Sequence, residues 1–64
     1  METMRETEIA DYASRLLAAH GDGAEAEAAQ KARHFEEIND SEQAQDWQRI
    51  RAAIRELRRS PLRP

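Results

Sequence analysis

Residues 9–23 read IADYASRLLAAHGDG, and this stretch decides the fold. Ile9, Tyr12, Ala13, Leu16 and Leu17 recur at i, i+3, i+4, i+7 and i+8, the spacing of one buried stripe on an α-helix. The stripe stops at His20-Gly21-Asp22-Gly23. Gly21 takes a left-handed C′ position without steric cost, and Asp22 with Glu25 has the spacing of a capping box for a second helix. A helix, a tight break and a new helix start therefore lie within a few residues.

Working outward, Thr3 and Glu6 have the T-x-x-E spacing that starts a helix, so the first helix is expected over about 4–20. The second is expected over about 23–38, with Ala24, Ala28, Ala32, Phe35 and Ile38 facing inward. Alanines on a packing stripe let two helix axes approach closely. Asn39-Asp40 is the next break: Asn is the usual non-glycine occupant of a left-handed cap, and Asp40 with Gln43 forms another capping pair. The third helix is expected over about 41–59, with Trp47, Ile50, Ile54 and Leu57 on one face, and Ser60-Pro61 ends it. Residues 60–64 read as a frayed tail. The expected fold is all-α, a single helical domain over residues 1–64. It is a small three-helix bundle, with the first two helices as a hairpin and the third closing the groove.

Composition agrees with that class. The chain has 64 residues and a mass of 7.4 kDa, with 39% hydrophobic and 36% charged residues and no cysteine. That is too charged for a membrane protein, too regularly patterned for a disordered tail and too poor in β-branched residues for a sheet. The longest apolar run, Leu16 to Ala19, is far short of the ~20 residues of a transmembrane helix. Met1 to Glu6 show no basic segment followed by an apolar one, so a cytoplasmic chain without a secretory signal is expected.

Charge is unevenly divided. Residues 1–46 carry a net of −8, and from Trp47 onward six arginines face Glu56 alone, a net of +5. Arg51, Arg55 and Arg59 form an i, i+4, i+8 ladder beside the Trp47 face, with Arg58 on its boundary. One reading is a basic stripe that docks an acidic partner, either a carboxylate-rich protein surface or phosphate. The other is internal: arginines at a helix C-terminus oppose the macrodipole, and in an antiparallel bundle they lie near Asp22, Glu25 and Glu27. Trp47 likewise reads either as a core plug near Phe35 and Ile38 or as an interface anchor beside Gln48 and Arg51. In either place its indole N–H seeks an acceptor, for which Asp46 and Gln43 are the nearest candidates.

No catalytic constellation is present. No serine stands beside a candidate base, and there is neither a glycine-rich phosphate loop nor a cysteine nucleophile. His20 and His34 are fourteen residues apart and lack the i, i+4 pairing of a helical metal site. The chain is therefore expected to be no enzyme and to use no cofactor or metal. Sequence-specific DNA binding fits poorly with a net charge of −3 and with the acidic start of the third helix, Ser41-Glu42-Gln43.

The pattern Tyr12, Leu16-Leu17, His20-Gly21, Ala24, Ala28, Ala32, Asn39-Asp40, Ala44, Trp47, Ile50, Ala53-Ile54 and Leu57 resembles a family of short uncharacterised bacterial three-helix proteins. Those chains share an HG turn and a W-x-x-I-x-x-A-I-x-x-L final helix. Asn39 departs from it, since glycine is usual there. The resemblance implies a bacterial, cytoplasmic three-helix protein and carries over no activity, cofactor or catalytic residue. The expected function is a non-enzymatic protein–protein interaction module: a small adaptor, inhibitor or accessory subunit acting through a helix face, by self-association or with another protein. The alternative is a nucleic-acid-associated regulator. The candidate partner-binding residues are Trp47, Gln48, Arg51, Arg55, Arg58 and Arg59.

Overall fold

A computed structural model describes residues 5–59. They form three helices: α1 (Glu6–His20), α2 (Gly23–Glu37) and α3 (Ser41–Arg59). The chain is a three-helix bundle, as the apolar spacing predicts.

Local chemistry explains each boundary. Arg5 is extended (φ −75°, ψ 161°), and its backbone N–H donates to Glu8 Oε1 at 3.0 Å. The start of α1 therefore falls about two residues later than the T-x-x-E spacing predicts; Thr3 lies outside the described residues. The carboxylates of Glu6 and Glu8 in the first turn suit the positive end of the helix dipole. At the other end Gly21 has φ 57° and ψ −127°, a conformation open only to glycine, and its N–H donates to the Leu17 carbonyl at 2.8 Å.

The expected capping box at Asp22 is not formed. Asp22 is itself helical (φ −62°, ψ −22°) and its side chain accepts no cap hydrogen bond. Instead the Ala24 N–H donates to the Gly21 carbonyl at 3.0 Å, and Glu25 turns to the arginines of α3.

The second break matches the prediction closely. Asn39 has φ 64°. Its N–H donates to the Glu36 carbonyl at 3.1 Å, and the Asp40 N–H reaches back to the Phe35 carbonyl at 2.8 Å. Those two bonds make a complete Schellman motif, with Asn39 where glycine usually stands. Asp40 then caps α3: its Oδ1 accepts from the Gln43 N–H at 3.2 Å. The C-terminal stop at Ser60-Pro61 and the tail lie outside the described residues.

The largest interface joins α2 to α3; α1 packs mainly on α3 and least on α2. The hairpin is thus α2–α3, with α1 laid over it, rather than α1–α2 closed by the third helix. The reason is in the side chains. Ala24, Ala28 and Ala32 are all buried and let α2 lie close to α3, whose Ile50 and Ile54 supply the bulk. The short connection from Glu37 to Ser41 sets the antiparallel sense, and ion pairs join the start of α2 to the end of α3.

From α1 the core takes Ile9, Ala13 and Leu16. Several bulky residues of the predicted stripes lie outside it: Tyr12 is 40% exposed, Ile38 56% and Leu57 42%. Ile38 leaves the stripe because α2 ends at Glu37 and Ile38 itself has left the helical conformation (φ −97°, ψ 13°). Phe35 and Leu17 are only partly covered. Ile50 and Ile54 are the largest side chains wholly out of water among the described residues.

Candidate functional site

The basic ladder is built by the 3.6-residue turn of α3. Measured round the helix from Arg51, Arg55 lies about 40° one way, Arg58 about 20° the other way and Arg59 about 80° round. Arg51, Arg55 and Arg58 therefore share the side toward α2, and Arg59 lies at its margin, lining the same hollow as Glu25, Arg55 and Arg58. The contacts follow this geometry. Glu25 Oε2 lies 3.2 Å from Arg55 Nε and 3.9 Å from Arg51 Nε, and Glu25 Oε1 lies 3.2 Å from Arg58 Nη1. Arg58 Nη2 also reaches Asp22 Oδ1 at 3.6 Å. Arg59 pairs within its own helix, 3.6 Å from Glu56 Oε2. The predicted grouping is thereby altered: Arg58, not Arg59, completes the ladder.

Three guanidinium groups thus converge on one carboxylate that is only 21% exposed, with Asp22 as a second, fully wetted counter-charge. This is the internal arrangement foreseen for Asp22 and Glu25. Glu27 takes no part in it; its Oε1 lies 3.5 Å from His20 Nε2 at the turn between α1 and α2. Since the arginine side chains are between 41% and 66% exposed, each pair contributes at most ~1 kcal/mol.

Trp47 sits at the other end of the same helix. Its ring is half-buried and meets Tyr12 edge-on, with centroids 5.5 Å apart and planes at 80°. Lys31 Nζ lies over the same ring at 5.9 Å from its centroid, within cation–π reach. Trp47 is thus packed against the core as expected but only partly covered by it, and of the two neighbours expected there Ile38 lies outside the core. Ile38 is exposed, and the Phe35 ring meets His34 edge-on at 5.2 Å. Gln48 follows Trp47 toward solvent and donates from Nε2 to Glu36 Oε2 at 2.7 Å.

The six candidate residues thus form two groups on α3. Trp47 and Gln48 belong to an edge completed by Lys31, which the sequence does not mark, and by Tyr12, which the sequence reading places on the buried stripe and not among the partner-binding candidates. For Tyr12 the signal was present: its hydroxyl favours a position where one end of the ring stays wet. The arginines form the second group, tied to the start of α2.

Asp46 is a further departure from the sequence reading. It is 7% exposed, and its Oδ1 has no hydrogen-bond partner. Its place four residues before Ile50, on the buried face, is the sequence signal for that burial. Among the described residues, no group of three or more His, Asp or Glu side chains is placed to hold a metal ion. No helix among them is long and apolar enough to cross a membrane. No protein-family model, curated protein or solved structure matches this chain.

Proposed function

We propose that this chain is a non-enzymatic, cytoplasmic protein–protein interaction module, an adaptor, inhibitor or accessory subunit that docks a partner on the Tyr12–Trp47 edge. The observation that carries the reading is the placement of Trp47: its ring is held against Tyr12 at 5.5 Å yet only half-buried. Trp and Tyr anchor interfaces because they bring large apolar area at little cost in side-chain entropy. The bundle closes its interior over Ile9, Leu16, Ile50, Ile54 and alanines, and the exposed part of the two rings at its margin is available to a partner. Gln48 and, one turn along α3, the partly exposed guanidinium of Arg51 supply a polar border next to them, while Arg55, Arg58 and Arg59 lie farther toward the end of the helix.

The nucleic-acid alternative is weaker, because Arg51, Arg55 and Arg58 already share Glu25 and Asp22. A phosphate would have to displace those carboxylates. Affinity capture with the full chain and with Tyr12→Ser tests the reading. The expected result is a protein partner that is lost with Tyr12→Ser and retained as salt rises. Binding through four phosphate contacts would instead fall about twelvefold for each doubling of salt concentration, and would favour the alternative.

A further inference from the structure

A mainly apolar groove of about 370 Å³ lies between the first half of α1 and the second half of α3. Ile9, Ala10, Ala52 and Ala53 give its apolar lining, and Glu6, Arg49 and Glu56 its charges. On α3 the lining residues Arg49, Ala52, Ala53 and Glu56 follow i, i+3, i+4, i+7, so they form one face. Arg49, Ala52 and Glu56 on that face are exposed, and Ala53 is half-buried.

We propose that this groove is the interface of a homodimer in which α3 packs antiparallel against α3 of a second copy. A two-fold interface must be self-complementary: if residue i meets residue j, then j must meet i. The face Arg49-Ala52-Ala53-Glu56 meets that condition when the axis passes between Ala52 and Ala53. Each alanine then faces the other alanine of the second copy, and small side chains at the crossing allow close approach of the helices. The same operation sets Arg49 of each copy against Glu56 of the other, where the exposed Glu56 carboxylate is shared with Arg59 of its own helix, and Glu6 lines the same groove as a second carboxylate for the incoming guanidinium. The two Arg49–Glu56 pairs are one interaction repeated by the axis, and it joins opposite charges. The groove includes none of Tyr12, Trp47 or the Glu25 arginines, so the dimer stands separately from the partner edge described above.

Sedimentation equilibrium on the full chain tests this with Arg49→Glu, Glu56→Arg and Ala52→Glu, each checked for helicity by circular dichroism. The wild-type chain is expected to be dimeric. Each single charge reversal sets like charges together and is expected to weaken the dimer about tenfold or more. Mixing Arg49→Glu with Glu56→Arg restores both opposite pairs, so an equimolar mixture is expected to dimerise as the wild type does. Ala52→Glu, on an exposed position, brings two carboxylates together at the axis and is expected to dissociate the dimer without loss of helix. A wild-type chain that stays monomeric up to about 1 mM would overturn the proposal. So would a dimer indifferent to Ala52→Glu, or a mixture of folded single mutants that fails to associate.

Discussion

Single residues with unusual backbone or burial do much of the specifying here. Asn39 stands at φ 64° between the Schellman bonds of α2 and the cap of α3. Asn39→Gly is therefore expected to be neutral or slightly stabilising. Asn39→Val should lower stability by ~1 kcal/mol or more, since a β-branched residue resists positive φ. Thermal melts compare the two directly, and equal melting temperatures would contradict the left-handed cap. Asp46 is the opposite case, a buried polar residue one of whose carboxylate oxygens, Oδ1, has no hydrogen-bond partner. Asp46→Ala removes that unsatisfied acceptor and improves helix propensity, so a gain of ~1 kcal/mol is expected in urea unfolding. A loss of stability would mean that the carboxylate does useful bonding.

Among the helices, α3 is the element on which the others assemble, since both α1 and α2 pack chiefly against it. Ile54, 0% exposed at the centre of that packing, makes the point testable: Ile54→Ala should lower stability by ~2–4 kcal/mol, read from chemical denaturation. An unchanged midpoint would place the core elsewhere. The helices themselves were legible from punctuation. Gly21, Asn39 and Asp40 mark their breaks by backbone chemistry that acts within a few residues, and α3 runs from Ser41 to Arg59 as expected. What the pattern did not disclose was pairing. Short loops on both sides of α2 make α1–α2 and α2–α3 equally plausible hairpins, and the choice depends on how closely the alanine stripe lets α2 approach α3. The capping role assigned to Asp22 and Glu25 failed for a related reason. A local hydrogen bond had to compete with three guanidinium groups from residues about thirty positions away, and the long-range pairs prevailed.

Across the whole molecule the same long-range geometry decides what is surface. Periodicity identified Tyr12, Trp47 and Leu57 as apolar-face residues, but three short helices enclose too little volume to cover every bulky side chain on those faces. The interior closes over Ile9, Leu16, Ile50, Ile54 and a set of alanines, and the aromatic pair is left at its edge. The arginine ladder is also partly a matter of fold, because its counter-charges lie on α2 and draw it into the α2–α3 seam. What distinguishes the molecule is thus a thin core beside an aromatic edge. Trp47 is the only tryptophan, so acrylamide quenching of its fluorescence in the folded, free chain probes that claim directly. A partly exposed ring predicts quenching above that of a buried core tryptophan and well below that of the same chain in denaturant. Protection equal to that of a core residue would contradict the surface edge on which the functional reading depends.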